Sequence, residues 1–98
     1  MLKGGRRVQE KLLTLVVLAT VAPGIAGARL GLAISARAVP NAVGRNRIKR
    51  LARESFRACR AQLPAADLVL QARAGAAAAE GSEIRATLER LWRRAAER

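Results

Sequence analysis

The sequence predicts an α+β sandwich, in which a small mixed sheet packs against a long basic helix and a C-terminal helix. The chain has 98 residues, which is enough for one domain only. Hydrophobic residues make up 51% of it, so a core can form. Strand-like and helix-like segments alternate in the order β-β-α-β-α. We therefore expect a single domain over residues 1–98, with residues 1–10 loose.

Two strands are predicted ahead of the first helix. Residues 12–21 are rich in Val, Leu and Thr, and residues 23–27 have the Pro and Gly content of a turn. Residues 29–37 form a short apolar run that alternates at its end, which is typical of a second strand. Pro40 lacks a backbone donor and ends this strand, and Asn41 is suited to cap the helix that follows.

The second half of the chain predicts helix, strand and helix. A long helix is expected over residues 42–62, with Pro64 marking its end, and residues 67–73 form the third strand. An Ala-rich link over residues 75–81 leaves room for a helical turn, and Ser82 is placed to cap a last helix at residues 83–96. Apolar side chains recur on that helix at Ile84, Leu88, Leu91, Trp92 and Ala95, so this stripe should pack on the sheet.

Positive charge is the dominant feature of the composition. Nineteen Lys and Arg against seven Asp and Glu give a net charge of +12. Residues 42–62 carry seven of the cations and one acid, so half of the net charge lies in the predicted long helix. The C-terminal third is nearly balanced, as expected of a solvated structural helix. A domain this basic usually has a polyanionic partner, most often a nucleic acid.

Composition excludes several classes of site. The chain has no His, which excludes imidazole catalysis and His metal ligands. Its single cysteine, Cys59, excludes an intrachain disulfide and a Cys-based metal cluster, and we expect it in the core. No Ser stands in a nucleophile motif, and the acidic residues form no evident pair. Any reaction in which this chain takes part is therefore carried out by another component.

The predicted long helix has two faces when each residue advances by 100°. One face is apolar and comprises Ile48, Leu51, Ala52, Ser55 and Cys59, flanked by Phe56 and Leu63. The opposite face is cationic and comprises Asn46, Lys49, Arg50, Arg53, Arg57 and Arg60, with Arg45 and Arg47 at its shoulders. Neighbouring side chains on such a face are about 5–6 Å apart, which is close to the spacing of phosphates along a nucleic-acid strand. Arg also suits bidentate phosphate contacts, so this face predicts nucleic-acid binding better than a merely solvated surface.

The N-terminal segment allows other interpretations. A basic start, an apolar run and an Ala-Gly-Ala segment outline a secretory signal. Removal of residues 1–28 would leave at most two strands, which favours the strand interpretation. The uncharged stretch 12–28 is 17 residues long and is broken by Pro23, Gly24 and Gly27, which is unsuited to a membrane-spanning helix. A basic helix lying on a membrane is a further alternative for residues 42–62, although interfacial Trp and Phe clusters are absent from it.

One stretch of the long helix resembles a known signature. RNRIKRLARESFR at residues 45–57 resembles the RNR helix of the bacterial ribonuclease P protein subunit family. Flanking segments resemble the same family in order, namely RLGLAIS at 29–35, LPAADLVLQAR at 63–73 and LERLWRR at 88–94. The resemblance covers about residues 11–94, nearly the whole chain.

The resemblance implies a fold and a function. The fold is an α/β sandwich with a left-handed β-α-β crossover through the RNR helix. The partners are the catalytic RNA of ribonuclease P, which holds the Mg²⁺ ions and cleaves, and precursor tRNA, whose 5′ leader lies in a cleft on the sheet. The implied location is the cytoplasm, with no membrane and no obligate protein partner. The RNA-contact residues are Arg45, Asn46, Arg47, Lys49, Arg50 and Arg53, extended on charge alone by Arg57 and Arg60.

Departures from the family pattern concern the leader cleft, for which Leu13, Val16 and Arg37 are the candidates. Family members usually begin with a short helix that carries two aromatic residues, and we expect this chain to lack it. Leu13 and Val16 stand where Phe or Tyr is common, and Ala36 replaces one charge of a basic pair. Stacking contributes about 1–3 kcal/mol per base, so leader binding should be weak or rely on apolar contact. A generic RNA-binding or ribosome-associated protein and an exported cationic peptide stay open as alternatives.

Overall fold

The computed structural model describes residues 5–19 and 27–97. Six main elements occur in these residues, and two short 3₁₀ turns follow α1 and β4 at Arg60–Gln62 and Ala74–Ala78. The elements are β1 (Arg6–Gln9), β2 (Leu13–Ala19), β3 (Arg29–Ala33), α1 (Ala42–Cys59), β4 (Ala66–Ala72) and α2 (Gly81–Ala96). The prediction of an α+β fold with a long mid-chain helix and a C-terminal helix is confirmed.

The four strands form one mixed sheet in the order β1-β2-β4-β3. β2 pairs antiparallel with both β1 and β4, and Leu15 stands opposite Leu70 at the centre. β3 and β4 are parallel, with Leu30 opposite Leu68, and α1 connects them. The hand of this connection stays a prediction.

Both helices cover the same face of the sheet. Strand side chains alternate between faces, so Leu15 of β2 and Leu70 of β4 point to the helices and are fully buried. α1 contributes Ile48 and Ala52 to the same core. α2 contributes the predicted apolar stripe, all of which is buried, namely Ile84, Leu88, Leu91, Trp92 and Ala95. The predicted buried sides of the two helices are therefore confirmed, although Ser55, Phe56 and Cys59 of α1 are only half-buried.

The strand β1 corrects one expectation. Residues 1–10 were expected to be loose, but Arg6–Gln9 pairs with β2 along its whole length. Val8 is buried in the core, and the backbone N–H of Glu10 donates to the carbonyl of Leu13 to close the turn between the strands. A four-residue strand with one apolar side chain has no sequence periodicity to reveal it, because its pairing depends on backbone hydrogen bonds.

Several element ends differ from the limits expected from the sequence, and α1, expected to reach residue 62, ends at Cys59. β3 ends at Ala33 instead of residue 37, because residues 36–38 turn and the Val39 N–H donates to the Ser35 carbonyl. Ser82 does not cap α2, which begins at Gly81 with Glu80 as its N-cap. The Glu80 backbone N–H instead donates to the Glu83 carboxylate at 2.9 Å. The expected end of the first strand at residues 20–21, and most of the turn after it, lie outside the described residues.

Candidate nucleic-acid interface

The orientation of α1 is set at its N-terminal end and on its buried side. Asn41 caps the helix as expected, since its side-chain oxygen accepts from the Val43 N–H at 2.8 Å. On the buried side, the Trp92 indole N–H donates to the Ser55 hydroxyl at 2.7 Å. The rings of Phe56 and Trp92 meet edge to face, with centroids 5.7 Å apart. These contacts leave the opposite side of α1 facing solvent.

Five of the predicted RNA-contact side chains lie on that solvent-facing side, called here the cationic face: Asn46, Lys49, Arg50, Arg53 and Arg57. All are exposed except Lys49, which is half-buried. Within residues 5–19 and 27–97, none of the five side chains forms a hydrogen bond or ion pair with another group. Their donors, and the amide of Asn46, are thus available to a partner.

The other three predicted contact residues bond to the protein itself. Arg45 donates from one nitrogen to the carbonyls of Val39 and Pro40, both at 2.9 Å. Arg47 donates to the Ala79 carbonyl at 2.9 Å, and its Nε is buried with no partner among the described residues. Arg60 donates from Nε to the Ala28 carbonyl at 2.9 Å. These three side chains tie α1 and the 3₁₀ turn after it to loops on either side, and thereby position the cationic face.

A groove of about 460 Å³ runs beside the cationic face, between α1 and the edge strand β3. Its lining combines apolar side chains with cations: Leu30, Leu32 and Phe56 together with Lys49, Arg53, Arg57 and Arg60. Sequence reasoning placed Phe56 on the apolar flank of the helix. The position of Phe56 on the boundary between the apolar and cationic faces of the predicted helix was the one available signal that its ring could also reach a ligand.

The three leader-cleft candidates do not come together. Leu13 is fully buried under the helices, so its assignment to a surface cleft is wrong. Val16 lies three residues after Leu13 on β2, so its side chain points to the opposite face of the sheet. It is 7% exposed. Arg37 is exposed in the turn between β3 and α1. Arg37 is thus the one member of the three with a freely accessible side chain.

An ion pair links β3 to β4 on the face of the sheet opposite the helices. Arg29 binds Asp67 with two hydrogen bonds, from Nε at 2.7 Å and from Nη2 at 3.0 Å. The hydrogen bond from Arg29 holds the pKa of Asp67 below its ordinary value. The pair neutralises a carboxylate that would otherwise repel phosphate.

The described residues hold none of the usual reactive groups in a catalytic arrangement. Cys59 is half-buried, and burial raises the pKa of its thiol, so the reactive thiolate is disfavoured. Across residues 5–19 and 27–97 no three His, Cys, Asp or Glu side chains are grouped to hold a metal ion. No helix in these ranges combines the length and apolar character needed to cross a membrane.

Comparison with known proteins gives consistent matches. A family model described as Ribonuclease P matches residues 1–96. The ribonuclease P protein component of Vibrio parahaemolyticus is 48% identical over 66 residues, which cover 67% of this chain and 56% of that protein. That of Thioalkalivibrio sulfidiphilus is 49% identical over 67 residues, which cover 68% and 56%. The matched part of the chain thus spans little more than half the length of these curated relatives.

Solved structures share the fold. The RNase P protein of Staphylococcus aureus has a TM-score of 0.83 and 30% identity, covering 95% of this chain and 83% of that one. The Thermotoga maritima RNase P protein in complex with 1-(4-fluorophenyl)-2-thiourea has a TM-score of 0.79 and 25% identity, covering 94% and 87%. A family model that spans nearly the whole chain, together with these structures, shows that the chain belongs to the ribonuclease P protein family.

Proposed function

We propose that this chain is the protein subunit of ribonuclease P and acts in the cytoplasm. In this proposal it binds the catalytic RNA through the cationic face and assists RNA-catalysed removal of the 5′ leader from precursor tRNA. The observation that carries the proposal is that the basic side chains of α1 and the turn after it fall into two groups, one facing solvent and one bonded to the protein. Five side chains are presented outward with no partner among the described residues, while Arg45, Arg47 and Arg60 fix the helix that presents them.

The cationic face supports RNA binding through its chemistry. Arg guanidinium groups donate two parallel hydrogen bonds to one phosphate, and each phosphate contact releases a condensed counterion. Arg50, Arg53 and Arg57 recur at intervals of three and four residues, so they form one row along the helix. Because α1 is already anchored, its backbone loses little conformational entropy when this row meets a phosphate backbone.

The groove between α1 and β3 is our proposed site for the single-stranded leader. Lys49 and Arg53 on its wall would neutralise leader phosphates, and the ring of Phe56 would stack on a base. Leu30 and Leu32 supply an apolar floor that tolerates any base. This assignment replaces Leu13 and Val16, of which the first is buried and the second lies on the other face of the sheet.

The proposal assigns the Mg²⁺ ions to the RNA. Within residues 5–19 and 27–97 no three His, Cys, Asp or Glu side chains are grouped to hold a metal ion. Glu10 and Asp67 in particular fit a magnesium site poorly, because Glu10 is bound by Arg90 and Arg94, and Asp67 is bound by Arg29. Magnesium prefers oxygen ligands of high negative charge, and these carboxylates are already neutralised. The contribution of the protein is therefore electrostatic, since cations on α1 offset phosphate repulsion that Mg²⁺ would otherwise have to screen.

Reconstitution tests the proposed function. Cleavage of a precursor tRNA is measured over a Mg²⁺ series with the catalytic RNA alone, with the protein added, and with Arg50→Ala plus Arg53→Ala. The protein should lower the Mg²⁺ concentration needed, and the double variant should reverse most of that effect. Arg85→Ala plus Arg93→Ala is the matched control, because both are exposed α2 cations without partners in the described ranges. Cleavage by the protein without RNA would overturn the proposal.

A further inference from the structure

We infer that the chain has a second phosphate-binding surface, for a segment of RNA backbone separate from the one that the cationic face binds. This surface, called the β1–α2 patch, consists of Arg6, Lys11, Arg73, Arg90 and Arg94 around the carboxylate of Glu10. The inference rests on the proposed function, because it takes the catalytic RNA as the partner.

Three guanidinium groups converge on Glu10. Arg90 donates from Nε to one carboxylate oxygen at 2.9 Å, and Arg94 donates to the other at 2.7 Å. Arg94 also reaches the Gln9 carbonyl at 3.0 Å, and Arg73 donates to the Glu10 carbonyl at 3.0 Å. The arginines thus come from α2 and from the end of β4, and they meet at the turn between β1 and β2.

The remaining cations extend the patch on both sides. Arg6 of β1 donates to the carbonyls of Arg94 and Ala95, at 3.3 and 3.0 Å. Lys11 follows Glu10 in the turn, is exposed and has no partner within the described residues. Five positive charges and one negative charge leave the patch with a net charge of +4. An anion is therefore the expected ligand.

The geometry leaves donors available to that anion. Arg73 and Arg94 each use a single Nη nitrogen in these contacts, so their remaining N–H groups are not used by the described residues. The side chains of Arg90 and Arg94 are each 49% exposed. Guanidinium groups held in place by a carboxylate and by carbonyls lose little freedom on binding, and their planar donor pairs match phosphate oxygens.

The patch lies away from the cationic face. α1 packs beside β3 at one edge of the sheet, whereas β1 forms the opposite edge. Three strand spacings separate the two edges, which is about 14 Å. Adjacent phosphates are closer together than this, so the two surfaces cannot be filled by neighbouring nucleotides of one strand. A folded RNA can present two backbone segments to the two surfaces at once, which is why we assign the catalytic RNA as the ligand of the patch.

Salt dependence of binding to the catalytic RNA tests the patch. The patch variant, Lys11→Gln plus Arg73→Gln, removes two positive charges from the β1–α2 patch. The control variant, Arg85→Gln plus Arg93→Gln, removes two positive charges from the exposed part of α2 outside the patch. We expect the patch variant to shallow the log–log salt slope by about 1.4–1.8 units and to weaken binding at least tenfold at moderate salt. The control should change the slope by less than about half a unit. Equal effects of the two variants would overturn the inference.

Two further arms separate this inference from the proposed function. Lys11→Gln alone should leave thermal unfolding unchanged, because Lys11 has no described partner, yet it should still shallow the slope. Arg50→Ala plus Arg53→Ala reports on the cationic face: if it weakens binding while the patch variant does not, only the second surface is refuted. If neither weakens binding, both assignments fail.

Tethered cleavage shows whether two backbone segments are contacted. In a Cys59→Ser background, an iron chelate is attached at Lys11→Cys or at Val43→Cys, which lies on α1 and is 76% exposed in the parent. Hydroxyl radicals should cut the catalytic RNA at two separate sets of nucleotides. Cleavage from position 11 no stronger than that by free chelate, or at the same nucleotides as from position 43, would contradict a second surface.

Discussion

The indole N–H of Trp92 donates a 2.7 Å hydrogen bond to the hydroxyl of Ser55, and this contact joins α2 to α1. Trp92 is buried, so its N–H has little access to water as an alternative partner. Ser55 lies on the side of α1 away from the cationic row. Together with the buried side chains Ile48 and Ala52, the bond fixes the rotation of α1 about its axis, and with it the direction in which the arginines point.

Ser55→Ala should destabilise the fold, because it leaves the buried indole N–H unpaired. We expect the free energy of unfolding to fall by about 1–3 kcal/mol. Ser82→Ala is the control, since Ser82 is exposed and should change stability by less than about 0.5 kcal/mol. Chemical denaturation of the three proteins checks this, and equal stability of the two variants would contradict it.

Arg47 and Arg50 should behave differently although both belong to the same signature. Arg47→Ala removes the hydrogen bond to the Ala79 carbonyl and should lower the free energy of unfolding by about 1–3 kcal/mol. Arg50→Ala should change stability by less than about 0.5 kcal/mol and should mainly weaken RNA binding. Thermal unfolding measured beside RNA affinity distinguishes the two. The reverse pattern would mean that Arg47, not Arg50, faces the RNA.

Variants of Leu51 and Phe56 distinguish the role of the core from the role of the groove. Leu51→Ala creates a cavity in the core and should cost about 2–5 kcal/mol of stability, so its loss of RNA binding should follow unfolding. Phe56→Leu keeps most of the apolar volume of a half-buried side chain but removes the aromatic ring from the groove. It should weaken binding of leader-bearing precursor by about 1–3 kcal/mol and leave mature tRNA unaffected. Equal loss with both substrates would refute stacking on the leader.

Acid should loosen the contact between β1 and α2. Hydrogen bonds from Arg90 and then Arg94 hold the pKa of Glu10 below its ordinary value of 4.5. A carboxyl whose pKa is lowered by folding contributes stability that is present above the ordinary pKa and is lost as the pH falls through the lowered one. Unfolding of the parent and of Glu10→Gln is therefore compared between pH 7 and pH 2. The stability advantage of the parent should shrink below about pH 4.5, whereas parallel curves would show that the carboxylate contributes nothing.

Residues whose environment depends on periodicity could be predicted from the sequence. Ile48, Ala52 and Leu88 follow the 3.6-residue repeat of their helices, and all three are buried. Asn41 is a second example, because capping is a local interaction between near neighbours in sequence. These features depend on contacts within one element, and they account for the correct assignment of the faces of α1.

Features that depend on contacts between distant segments were missed. The side chains of Arg47 and Arg60 turn back to backbone carbonyls 32 residues away in sequence, and a helical projection gives the direction of the Cβ atom but not the path of a long side chain. The C-terminal third of the chain is nearly balanced in charge, yet folding places Arg90 and Arg94 beside Arg73 and Lys11. Such a cluster exists only once the strand order is known.

Salt dependence of the affinity for the catalytic RNA tests most directly the claim that cations of this chain bind its phosphates. If six to eight phosphates are neutralised, the slope of log affinity against log salt concentration should be about −4 to −7. Arg50→Ala and Arg53→Ala should each shallow that slope by about one unit. A slope shallower than about −2 in the parent protein would contradict the assignment of the cationic face as the RNA-binding site.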